Sequence, residues 1–109
     1  MQDLYNDMQN LRNELNSAIK LAVDRGKELA VAERDYRIAL AKQILIERDN
    51  KVPVTIISDI CRGKEDIADL KFKRETLEVL YKSAGERINA TKLEIRIVEG
   101  QMDSMRKGV

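Results

Sequence analysis

The side chains best able to do chemistry in this 109-residue chain fall in and just after the stretch Lys51-Val-Pro-Val-Thr-Ile-Ile-Ser-Asp-Ile-Cys-Arg-Gly63, which holds the only proline and the only cysteine. A cysteine nucleophile needs a nearby base, and the chain has no histidine, leaving carboxylates and lysines for that role. Cys61 has no evident partner of this kind. It shares helical spacing with Ile56, Ile57 and Ile60, the pattern of a buried structural thiol. One cysteine cannot form an internal disulfide, and without histidine or paired cysteines no zinc-type spacing exists.

Carboxylates offer a second kind of chemistry. Glu75 and Glu78 share one helix face, as do Asp24 and Glu28. Helical bundles build metal sites from such pairs, but need several inward-facing carboxylates drawn from different helices. Here the acids avoid the apolar seams described below, so they read as solvated charge. The five glycines are scattered singly, with no phosphate-cradling loop. The chain is therefore expected to be no enzyme, with no catalytic residue, cofactor or metal site.

A third possibility is nucleic-acid contact. Arg62, Lys64, Lys71, Lys73 and Arg74 fall within thirteen residues, just after Arg48 and Lys51. A short helix, a turn at Gly63 and a following helix carrying these residues trace a helix-turn-helix-like outline over 54–74, which implies a DNA-binding regulator as the alternative function. Glu65, Asp66 and Asp69 would occupy the first turns of the reading helix, where phosphates and bases are met. Acids there suit ordinary capping of a helix N-terminus better.

These residues must be positioned by helices. Steps of four and three from Leu4 give Leu4, Met8, Leu11, Leu15, Ala18, Ala22, Arg25, Leu29, Ala32, Tyr36, Ala39, Gln43 and Ile46, eleven of thirteen apolar. A second seam runs Ile67, Leu70, Arg74, Leu77, Tyr81, Ala84, Ile88, Thr91, Ile95, Val98, Met102 and Met105. The reading is all-α: one domain over 1–109 with helices at about 3–49 and 64–105. The connection 50–63 carries a short helix at about 55–62, and the whole is a long antiparallel coiled-coil hairpin. Pro53 is expected to end the first helix near Asn50, Ile56, Ile57 and Ile60 to face the hairpin, and Gly63 to supply a positive φ.

Leu11, Leu15, Leu29, Tyr36, Ile46, Leu70, Leu77, Tyr81, Ile88 and Ile95 are the expected hairpin and oligomer core. A bend near Ile57 would pair residues whose numbers add to about 114. That would set Ala18, Ala22, Gly26 and Ala30 opposite Ala84, Gly85 and Ala90, narrowing the hairpin's middle. Arg25 and Gln43, polar in the seam, would fix register, Gln43 lying near Lys71 and Arg74.

The seams do not use up the apolar residues. Val31, Ile38, Leu40, Ala41, Ile44 and Leu45 lie outside them, as do Leu80, Leu93 and Ile97. A lone hairpin would leave these in water, so the chain is expected to form a homo-oligomer, most economically a dimer making a four-helix bundle. Only 4% of residues are aromatic, which favours seams of Leu, Ile, Val and Ala over a compact globule. Twenty basic and nineteen acidic residues, interspersed to a net +1, argue against a nonspecific polyanion binder. The start, MQDLYNDMQNLRNEL, holds no signal-peptide-like apolar stretch, and no apolar run approaches membrane-spanning length. A cytoplasmic, non-catalytic interaction or scaffold protein is the expected role.

The blocks AERDYRIALAKQILIERD, VPVTIISDICRGKEDIADLKFKRE and INATKLEIRIVEGQM resemble a group of small helical proteins encoded by phages and prophages of Gram-positive bacteria. The likeness covers roughly residues 28–102, including the Pro53-Val-Thr55 step, the Arg62-Gly63 turn and the run Lys92, Glu94, Arg96. The resemblance implies a viral origin, a bacterial host cytoplasm and an unidentified host or viral protein as partner. It implies no catalytic residues.

Overall fold

The computed structural model describes residues 2–108, which form α1 (Gln2–Asp49), α2 (Val54–Arg62) and α3 (Glu65–Arg106), with no strand among them. The fold is an all-α helical hairpin, α1 and α3 running antiparallel with α2 in the connection. Each long helix carries charges that complement its dipole: Asp3 in the first turn of α1 and Arg48 in its last, Glu65 and Asp66 in the first turn of α3 and Arg106 in its last.

The end of α1 is set by a backbone motif one step before Pro53. The Val52 amide donates to the Glu47 carbonyl and the Lys51 amide to the Arg48 carbonyl, both at 3.0 Å, while Lys51 takes φ 63°. This is a Schellman cap with lysine in the left-handed position that glycine usually fills. Pro53, at φ −56° and ψ 136°, then holds the chain extended, and its carbonyl accepts the Ile56 amide at 3.1 Å to open α2. Gly63 corrects an expectation: its φ is −82°, inside the right-handed helical region, so the α2–α3 junction needs no positive φ.

On α2, Ile57 and Cys61 are buried, one turn apart, whereas Ile56 and Ile60 are 45% and 36% exposed. The short helix therefore presents a narrower apolar stripe than three isoleucines implied. Cys61 is fully buried as a free thiol, in keeping with a structural role.

By their contacts the described residues fall into two compact units, those up to Arg25 with those from Tyr81 onward, and residues 26–80. In a helix pair each level packs only against its own neighbours, so no single centre gathers the core. In the unit of 26–80, the buried apolar side chains are Ala32, Tyr36, Ile57, Cys61 and Ile67. In the other, Met8, Ala18, Ala84 and Val98 are buried beside Thr91, whose hydroxyl donates to the Arg87 carbonyl on its own helix at 2.9 Å.

Among the expected core residues, Leu11, Leu15, Leu29, Leu70, Leu77, Ile88 and Ile95 are half-buried and Tyr36 is buried. Ile46 and Tyr81 depart from the expectation, at 51% and 44% exposed. For Ile46 the reason is geometric. Ten residues beyond Tyr36 fall about 80° short of three full turns, whereas Glu47, eleven beyond, returns almost to the same line. Glu47 is accordingly buried in the place assigned to Ile46. Tyr81 keeps its phenol partly in water, as amphipathic rings do at the edge of a seam. Of the small residues expected to narrow the hairpin, Ala18 and Ala84 are buried, Ala22, Gly26 and Gly85 half-buried, and Ala30 and Ala90 exposed. A Cβ built on Gly85 would meet nothing within 4 Å, so close approach of a neighbouring chain does not require glycine there.

Two substitutions follow from these backbone facts. Lys51→Gly removes the cost of holding a Cβ-bearing residue in the left-handed region and is expected to stabilise the fold by about 1 kcal/mol. Gly85→Ala, filling free space inside a helix, is expected to add about 0.5–1 kcal/mol. Thermal melts followed by circular dichroism measure both, and a fall in melting temperature for either variant contradicts the corresponding reading.

Candidate functional site

The five basic residues singled out near the connection do not form one exposed surface. Arg74, part-buried on α3, points one guanidinium nitrogen at Glu33 Oε2 on α1 at 3.1 Å and lies 5.5 Å from the centroid of the Tyr36 ring. Its geometry combines a charge-assisted hydrogen bond with a cation–π contact. Its Nε is buried without a hydrogen-bond partner, so the guanidinium is held by its edge and its face rather than by a complete fork. Lys64 Nζ lies 3.4 Å from Glu47 Oε1, and Lys71 Nζ 3.8 Å from Glu75 Oε1. Arg62 and Lys73 are exposed.

Glu47 deserves its burial to two neighbours. Gln43 Nε2 donates to its Oε1 at 2.8 Å from one turn back, and Lys64 meets the same oxygen from just before α3. Gln43 thus serves register indirectly, by holding Glu47, and not by the expected approach to Lys71 and Arg74. The two inter-helix pairs, Glu33 with Arg74 and Glu47 with Lys64, have numbers adding to 107 and 111. The register is therefore displaced by three to seven residues, about one to two helical turns, from the expected 114. The cause is the connection: α2 sits so that Glu47 is level with Lys64, moving the centre of the bend from Ile57 to about Thr55.

Glu33 is the electrostatic centre of this arrangement. Its carboxylate accepts a 2.6 Å hydrogen bond from Arg37 Nε, one turn along α1, besides the bond from Arg74. The Arg37 bond, aided by Arg74 and opposed by partial burial, holds the Glu33 carboxyl below the ordinary range for glutamate. Glu75, within 3.8 Å of both Lys71 and Arg74, is engaged by cations rather than placed for metal binding. No group of three or more His, Cys, Asp or Glu side chains among the described residues is placed to hold a metal ion. No helix among them is long and apolar enough to cross a membrane.

The more distinctive surface in the unit of 26–80 lies on the outer sides of the helices. Val31, Ile38 and Leu45, seven residues apart on α1, are 46%, 47% and 60% exposed. The off-seam residues Leu40 and Ile44 are half-buried, so they belong to the edge of the helix contact. Phe72 and Val79 on α3, also seven apart, are 72% and 67% exposed. The sequence reading missed these two. Their signal was present, since each lies two residues from a seam position, about 200° round the helix from Arg74 and Leu77 respectively. No protein-family model, curated protein or solved structure matches the chain.

The Glu33 cluster makes a pH prediction. A carboxyl held below its ordinary range contributes stability that is fully present above the unfolded value of about 4.3 and is lost as pH falls through the lower folded value. Glu33→Gln is therefore expected to lower the melting temperature at neutral pH, with the gap from wild type closing as pH falls below about 4. Arg74→Ala, which also removes the Tyr36 contact, is expected to cost about 1 kcal/mol. An unchanged gap at pH 3 would show that Glu33 acts by packing alone.

Proposed function

We propose that this chain is a non-catalytic interaction protein that self-associates through the outer sides of its hairpin and works as a scaffold or adaptor. The observation that carries the reading is the imbalance of apolar surface. Among the described residues, eighteen large apolar side chains are exposed, against nine buried apolar ones, four of which are alanine or cysteine. Exposed Val, Ile, Leu and Phe in regular stripes mark surfaces that a partner covers in use. The same helical periodicity that builds the hairpin is present on its outside, so a further helix is the natural cover. A dimer is the smallest such assembly. A host or viral protein as additional partner, in a bacterial cytoplasm, is the role supported by the resemblance to phage-encoded helical proteins.

The DNA-binding alternative draws less support from the geometry. Three of its five basic residues, Lys64, Lys71 and Arg74, are engaged with carboxylates. The would-be reading helix is the 42-residue α3, and Glu65, Asp66 and Asp69 stand exposed in its first turns. Phosphate binding would have to break intrachain pairs and overcome these acids.

Sedimentation velocity across micromolar concentrations is expected to show reversible association of the intact chain, and a monomer throughout contradicts the reading. Gel shifts with duplex DNA at low salt are expected to show none that Arg62→Ala with Lys73→Ala abolishes. A salt-sensitive shift lost in that double variant would instead establish the DNA-binding alternative.

A further inference from the structure

Resting on the self-association just described, we infer that copies of this chain join head to tail, the outer face of α1 in one copy packing on the outer face of α3 in the next. Both faces lie in the unit of 26–80. Ile38 is two residues past the buried Tyr36, about 200° round α1, so Ile38 and Leu45 point away from α3, while Val31 at the start of the stripe also borders a groove with Lys73 and Leu77 of α3. Phe72 and Val79 point away from α1 by the same argument. The two faces look outward from opposite sides of the hairpin, and one second copy cannot cover both. An isologous four-helix bundle, the closed form expected from sequence, would need the two faces side by side.

Shape and charge then select the pairing. Both stripes repeat every seven residues, a rise of about 10.5 Å, so the knobs of one match the spacing of the other. Exposed Lys27, Arg34, Lys42 and Arg48 flank the α1 stripe, with exposed Glu28 beside Val31. Asp35 on that face is held by Arg34 at 3.1 Å, and Asp49 lies beyond Leu45 at the helix end. The α3 stripe is flanked by exposed Glu65, Asp69 and Glu75, with Lys71 and Lys73 about 100° to either side of Phe72. Packing α3 on α3 would oppose acid to acid, and α1 on α1 would bring lysines together. Packing α1 on α3 satisfies both surfaces and covers both stripes. Such a contact is heterologous, so it propagates as a ring or an open row.

Complementary blocking tests this directly. Ile38→Asp disables the α1 face and keeps the α3 face, whereas Val79→Asp does the reverse, and the two introduced carboxylates repel if the disabled faces meet. Both sites are exposed, so helicity by circular dichroism is expected to match wild type. By sedimentation, wild type is expected to form a concentration-dependent series, each variant alone to remain monomeric, and an equimolar mixture to stop at a 1:1 dimer. Raising salt from about 50 to 500 mM is expected to weaken wild-type association about tenfold, as for exposed charges. The charge variants Lys42→Glu and Asp69→Lys leave apolar packing intact. Each alone is expected to associate more weakly than wild type, and their mixture to regain the concentration-dependent series because the reversed charges pair again, which decides the matter if either first variant loses helicity. A monomeric wild type removes self-association and this geometry together. An associating wild type whose variants associate alone as strongly as it does, or whose mixtures stay monomeric, leaves self-association standing and overturns the head-to-tail contact.

Discussion

Two helices touch along a single line, and every other feature of this protein follows from how little that line can bury. One stripe on each helix meets the other, about a third of the circumference, and whatever lies off it remains in water unless another chain arrives. Much of the buried apolar set in this hairpin is small, with Ala18, Ala32 and Ala84 among it, and larger side chains such as Leu11, Leu15 and Ile88 are only half covered. A contact so thin supplies limited hydrophobic stabilisation per residue. Specific polar contacts consequently bear more of the task of choosing one register among several similar ones.

Those contacts are few and well placed. In the unit of 26–80, Glu33 and Glu47 on α1 each meet a cation, from α3 and from the residue just before it, about four helical turns apart. Sliding the helices by one turn would bury Glu47 without Lys64 and leave the Arg74 guanidinium against apolar groups, a cost that hydrophobic seams of nearly uniform residues could not impose. The unsatisfied Arg74 Nε shows that this specificity is obtained at some expense in hydrogen bonding. Arg37 adds to the arrangement by holding Glu33 ionised and oriented from its own helix.

The fold class and helix bounds were legible because they depend on local rules: unbroken heptads, one proline, acids at helix starts. The register was not, because it depends on the path through α2, which no periodicity encodes. The misplaced Ile46 has a related origin. A strict seven-residue reading assumes 3.5 residues per turn, and the stretch from Tyr36 to Glu47 follows the longer period of a nearly straight helix. Burial of a glutamate in a seam looks wrong on hydropathy alone; it becomes sensible only once Lys64 and Gln43 are seen beside it. Likewise the basic cluster looked continuous in sequence, but 100° per residue distributes Lys71, Lys73 and Arg74 round the helix, and only part of it faces outward.

The outer stripes were half legible for a reason that bears on function. Val31, Ile38 and Leu45 stood out because they made α1 apolar over more than one face, whereas Phe72 and Val79 were hidden among the acids Glu65, Asp69 and Glu75. That difference in surroundings is itself informative. A small excess of basic residues beside the first stripe and of acids beside the second is what the proposed contact between copies would use. A shared repeat with opposite charge is what two surfaces need to recognise each other rather than themselves. Because they sit on opposite sides of one hairpin, recognition between copies leaves a free face at each end of any open row. On the proposed self-association, the thin contact within the chain and the exposed stripes outside it are one design, in which the hairpin is the unit and neighbouring copies would complete the core.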